Sequence, residues 1–144
     1  MTPVVKKPKQ PSSRGKLAPM RVSEGFRDFA LDQLASVKGL RPRPMFGGIG
    51  LYADDVFFGI LAADVLYFKV DDSTRGEYEA AGASPFRPYP DRVMTMPYYS
   101  VPIQILEDAA MVRRWAVRAV AAATAARAQE RKPVARRRVT RQKR

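Results

Sequence analysis

The sequence predicts an α+β fold: an antiparallel sheet of about five strands with helices packed on it, in the order α-β-β-β-α-β-β-α, the last helix long. Three observations predict it. Short apolar runs between residues 45 and 70 are separated by gaps of two or three residues, too short for the crossovers that parallel strands need. Stretches with helical apolar spacing flank those runs on both sides. An apolar content of 46% in 144 residues suits one hydrophobic core and not two.

Ser23 is placed to cap the first helix, with Glu24 in its first turn and Phe26, Phe29, Ala30, Leu34 and Val37 on one stripe. Gly39 is expected to end it. Met45 to Tyr52, Val56 to Ala62 and Val65 to Val70 read as a three-strand meander, turning at Asp54-Asp55 and Ala63-Asp64. The middle strand, VFFGILA, is apolar on both alternating faces, which predicts a central strand covered at least partly on each side. Asp71 and Asp72 are expected to cap a short helix through about Ala81, closed by Gly82. Pro85 to Tyr89 and Arg92 to Tyr99 read as two further strands at edges. From Pro102 the helical pattern returns, is re-capped near Asp108 and runs to about Glu130. Its stripe is Val112, Trp115, Ala116, Ala119, Val120 and Ala123.

The formal charge of +12 is concentrated at the two ends. Lys6, Lys7, Lys9, Arg14 and Lys16 are unopposed by any acid in residues 1–20, as are Arg131, Lys132, Arg136, Arg137, Arg138, Arg141, Lys143 and Arg144 in residues 131–144. Removing these thirteen from the 26 Lys and Arg leaves thirteen against all fourteen Asp and Glu in residues 21–130. The organisation expected is a near-neutral domain, 21–130, between two disordered basic tails, 1–20 and 131–144. The tails would attract nucleic acid without regard to sequence, through charge neutralisation. Met20, just before the first helix, is an alternative start of translation to Met1.

Histidine and cysteine are both absent, which excludes zinc sites built on them, thiol redox work and Ser-His triads. No cofactor is expected. The N-terminus lacks the continuous apolar stretch of a secretory signal, and no run approaches the ~20 apolar residues that span a bilayer. The expectation is a soluble, cytoplasmic protein with no membrane span.

FGGIG, at Phe46 to Gly50, lacks the Gly-Lys-Ser/Thr ending of a P-loop and reads as a strand whose glycines permit a bulge or close packing. Asp54, Asp55, Asp71 and Asp72 fall at one end of the expected meander, roughly 10 Å apart across two strand spacings. Four carboxylates there would suit a hard cation, while turn formation and helix capping account for the same residues without one. Lys69, Arg113, Arg114 and Arg118 are candidate partner contacts, against the reading of a solvated surface. Tyr98 and Tyr99 with Phe68 read as core aromatics rather than base-stacking residues.

Taken together, MFGGIGLY at Met45 to Tyr52, LYFKVD at Leu66 to Asp71, PFRPY at Pro85 to Tyr89, MPYYSVP at Met96 to Pro102 and LEDAAMVRRWAVRA at Leu106 to Ala119 resemble the TfoX N-terminal domain family. The resemblance covers roughly Val22 to Arg127. It implies the same order of elements, and a link to the competence regulator TfoX, also called Sxy, a transcriptional co-activator. Longer relatives carry a second, helical C-terminal domain, whereas here fourteen residues follow Glu130. The resemblance supplies no catalytic or ligand residues. The leading expectation is a non-enzymatic regulatory or adaptor protein with a protein partner, its tails adding attraction to nucleic acid. The alternatives are an enzyme using carboxylates at the sheet edge and a self-association module forming a homo-oligomer.

Overall fold

The computed structural model describes residues 19–89 and 96–143, with side chains as far as Glu130. Its elements are α1 (Glu24–Gln33), β1 (Leu40–Met45), β2 (Gly48–Ala53), β3 (Val56–Ala62), β4 (Val65–Lys69), α2 (Arg75–Ala80), β5 (Pro85–Phe86), β6 (Met96–Ser100), α3 (Ile103–Leu106) and α4 (Ala109–Lys143). The strands form one antiparallel sheet in the order β1-β2-β3-β4-β6-β5. The α+β class and the antiparallel meander are as expected. The sheet has six strands where about five were predicted.

The additional strand is β1, and the stretch read as one strand from Met45 to Tyr52 is in fact interrupted by a hairpin turn. Phe46 and Gly47 both take positive φ, 50° and 90°, as a two-residue turn matching the strand twist requires. Met45 then pairs with Gly48, and Leu40 with Ala53. The LRPRPM composition of β1 hides it, because proline is excluded from central strands. In an antiparallel pair, alternate residues direct their backbone groups away from the neighbour. Pro42 and Pro44 fall in one such alternate set and tolerate it at an edge, where no amide donor is needed.

Two helix starts are capped by the residues that predict them, whereas α2 begins at Thr74 without a side-chain cap and Asp71 holds the turn before it instead. Ser23 Oγ accepts a hydrogen bond from Phe26 N at 3.2 Å, and Asp108 Oδ1 accepts from Met111 N at 3.1 Å at the start of α4. Asp71 Oδ1 accepts from Ser73 N and Thr74 N, at 3.0 and 3.1 Å, ahead of α2. Two boundaries differ from expectation. α1 stops at Gln33 rather than Gly39, the intervening residues forming turns, and Phe29, expected on its apolar stripe, is 40% exposed. α4 continues as helix beyond Glu130. Of the predicted strand from Arg92 to Tyr99, residues 92–95 lie outside the described residues, as does the N-terminal tail through residue 18.

All the described helices lie on one face of the sheet. α4 crosses β3 and β4, α1 and α3 pack beside α4, and α2 meets β6. Their core holds Phe58, Leu61, Leu66 and Phe68 at no more than 1% exposure, with Leu34, Val112 and Ala116 above them. Trp115 anchors α4 by meeting Tyr78 of α2 edge-on, ring centroids 4.6 Å apart.

A bulge in β3 divides its apolar residues between the two sides. Leu51 pairs with Gly59 but Tyr52 pairs with Phe57, which leaves Phe58 as the extra residue. Phe58 and Leu61 therefore join the helix-side core, while Phe57, Ile60 and Ala62 belong to a second cluster on the opposite face. Simple alternation over VFFGILA would not separate them this way.

Candidate functional site

Among the described residues no helix packs across that opposite face; the end of α4 from Ala123 to Glu130 only borders a cavity at one side of it, with Phe57, Lys69 and Tyr98. The strand register assigns to it Arg41, Arg43 and Met45 of β1, which alternate with the helix-side residues and share a side with Tyr52 and Gly50 of β2. Phe57, Ile60 and Ala62 of β3 continue it, followed by Tyr67 and Lys69 of β4 with Tyr98 of β6. None of these strand side chains is acidic.

Its upper part is a groove of about 400 Å³, lined chiefly by Met20, Met45, Phe46, Ile60, Phe86 and Met96. Glycine makes it possible. A Cβ on Gly48 would approach Leu61 O to 2.5 Å and Met20 O to 3.1 Å, so only glycine lets the Met20 segment lie against β2. Met20 O there accepts a hydrogen bond from Ala63 N at 3.2 Å. Phe46, at the tip of the β1–β2 hairpin, is 74% exposed beside the groove. Three methionines in one groove supply unbranched, polarisable side chains that adapt to a varied partner surface.

The lower part is a ladder of rings. Tyr52 and Phe57 have centroids 5.1 Å apart, and Phe57 and Tyr98 5.4 Å. A cation closes each end: the Arg43 guanidinium lies 5.8 Å from the Tyr52 centroid and Lys69 Nζ 5.4 Å from that of Tyr98. Burial lowers the Lys69 pKa, opposed by the charges of Glu130 and Asp71. Burial raises that of Tyr98, whose hydroxyl donates to Phe57 O at a long 3.5 Å. Tyr67 is shifted upward by burial as well; its ring meets Phe86 edge-on at 5.0 Å.

The residues singled out from sequence do not converge. Of the four candidate partner contacts, Lys69 lies on the ladder. Arg113, Arg114 and Arg118 lie on α4, about 12 to 20 Å of helix axis from the Ala126 turn that approaches Lys69. Arg118 is paired with Glu77 and lies 6.0 Å from the Trp115 ring. Arg113 borders a shallow cavity with Val37 and Lys38, and Arg114 is exposed.

The four aspartates serve separate roles. Asp71 caps the turn into α2, Asp72 pairs with Arg75 at 2.8 Å, and Asp55 pairs with Arg127 at 3.1 Å. Asp54, with φ of 57°, forms the β2–β3 turn against Gly39. Among the described residues no three acids gather to hold a metal ion. Of the two cavities at this sheet end, one is bordered by Asp55 and Glu130, the other by Asp71 and Asp72. The side chains of Arg131, Lys132, Arg136, Arg137, Arg138, Arg141, Lys143 and Arg144 lie outside the described residues. No described helix is long and apolar enough to cross a membrane.

Sequence reasoning missed Arg41, Arg43, Tyr52 and Phe57 as a group. The signal was present in the alternation of LRPRPM, which places both arginines and Met45 on one side once the segment is taken as a strand.

The model of one protein family, described as the TfoX N-terminal domain, matches residues 32–123, from the last turn of α1 through all six strands into α4. No curated protein matches the chain.

Proposed function

Since the chain belongs to the TfoX N-terminal domain family, we propose that it works as a non-enzymatic regulatory adaptor. In this reading a protein partner docks in the methionine-rich groove, and the basic ends add sequence-independent attraction to nucleic acid. The carrying observation is the groove itself: an apolar hollow on a sheet face with no described helix over it, next to a highly exposed phenylalanine. Exposed apolar patches of this kind mark interaction sites in soluble proteins. Transcriptional co-regulation is the biological role this arrangement fits, with the protein holding a partner near nucleic acid. The thirteen terminal cations against a near-neutral middle support the electrostatic half.

The test is affinity capture from the native cell with the full chain and its Phe46→Asp variant, each with and without nuclease. A partner that survives nuclease and is lost from Phe46→Asp is the expected result. Partners that all disappear with nuclease, or that are held equally by the variant, would refute groove docking. For the ends, duplex DNA affinity should fall by roughly 10³–10⁵ between about 50 and 200 mM salt if six to ten phosphates are neutralised. A flat salt response would remove that part of the reading.

A further inference from the structure

We propose that the ring ladder below the groove is a track for single-stranded nucleic acid, with bases stacking on Tyr52 and Phe57 and phosphates meeting Arg41 and Arg43. It rests on the reading that the uncovered face is the working surface, and goes beyond it by giving that face a second ligand.

Charge and ring chemistry together select this ligand. Every charged strand side chain that the register places on the face is a cation, namely Arg41, Arg43 and Lys69. Both arginines are exposed, and Tyr52 and Phe57 are partly exposed. Aromatic rings alternating with cations on an open sheet offer stacking platforms and phosphate contacts at once. A duplex would leave the rings unused, because its bases are already stacked on each other. A second copy of the chain, face to face, would bring like charges together. A purely apolar ligand would have no use for the arginines.

The two ends of the track are unequal. Around Lys69 stand Asp71, Glu130 and, across the same cavity, Asp55, so the β4 end is of mixed charge. At the β1 end Arg43 shares a cavity with Asp28 of α1, but that acid is paired with Arg27, so cations are in excess there and set the position of the phosphates. None of the described ladder residues is Asn, Gln, Asp or Glu, the side chains that read adenine or cytosine edges, and stacking accepts any base, so binding tolerates many sequences. The chain enters this face at Met20, and α4 passes Lys69 at Glu130 before running on to Lys143, so both basic stretches begin beside this face.

The experiment is fluorescence anisotropy on the full chain, with a labelled oligothymidylate of about twenty nucleotides and a duplex of the same length. Variants are Tyr52→Leu, which keeps apolar volume but removes the ring, and the exposed pair Arg41→Gln with Arg43→Gln; thermal melting verifies folding. Tyr52→Leu should weaken the single strand about tenfold while duplex affinity, which depends on the ends, moves less than about twofold. The double Gln variant should lower the salt slope for the single strand by about two. Single-strand affinity unchanged in both variants would overturn the proposal, as would single strand and duplex weakening together. So would a protein partner lost from the ladder variants while the oligonucleotide still binds, which would make the ladder a protein site. Phe46→Asp separates the two readings: if it drops a partner while no variant affects the oligonucleotide, the groove stands and the track falls.

Discussion

The two faces of the sheet are built from the same strands and the same kinds of residue, yet they differ in what covers them. On the helix side Phe58 and Phe68 are wholly buried under α4. On the other side Phe57 and Tyr67, neighbours of those residues in sequence, remain partly exposed. The difference teaches that apolarity in a strand does not by itself report stability. Burial of roughly 25 cal/mol per Å² accrues where a helix excludes water; elsewhere the same rings are available to a ligand.

Four substitutions test that division. Trp115→Ala should cost about 3–5 kcal/mol, read as a lower urea midpoint, because it removes the ring that holds α4 against Tyr78. A loss under about 1 kcal/mol would mean that the helix layer is not the main source of stability. Gly48→Ala should cost about 1–3 kcal/mol, since its Cβ would meet Leu61 O and Met20 O, and it should increase binding of an apolar dye as Met20 is displaced. Unchanged dye binding would show that Met20 does not shield the face.

Asp71→Ala should cost about 1 kcal/mol, as the loss of the side-chain hydrogen bonds that hold the turn before α2. Hydrogen bonds from Ser73, then from Thr74, hold the Asp71 carboxyl below its ordinary value of 3.8. The contribution is therefore complete above that value, declines as pH falls through the lower folded value, and is absent below it. Urea midpoints of parent and variant should converge toward the acid end; a gap that persists there would indicate lost packing instead. Phe46→Ala should change stability by less than about 0.5 kcal/mol, because that ring is 74% exposed. A larger loss would place Phe46 with the core residues and blur the contrast between the faces.

The helix-side residues were easy to find in the sequence and those of the open face were hard. Ser23, Asp71 and Asp108 announce helix starts through local chemistry, and the α4 stripe from Val112 to Ala123 repeats at the helical period. The Phe58 bulge is different. It depends on pairing across β2, a non-local event, and it moves Phe57 and Ile60 to the opposite side from the one that alternation from Leu61 and Phe58 would suggest. β1 was obscured by two prolines and two arginines, which read locally as a loop. With β1 unseen, Arg43 could not be set beside Tyr52, and three of the four candidate contacts fell on α4, where arginines are more conspicuous. The TfoX N-terminal pattern in MFGGIGLY and MPYYSVP was legible because those segments supply β2, β6 and the turn between β1 and β2.

The two prolines have a consequence for how this molecule keeps company. Sheets recruit foreign strands through free amides along a border, but one border here is occupied by Pro42 and Pro44, and the other strand, β5, is only two residues long. Lateral growth into fibrils has little to start from at either margin. A protein with a bare greasy flat thus remains protected against stacking edge to edge, and visitors must approach from above the sheet rather than join its rim.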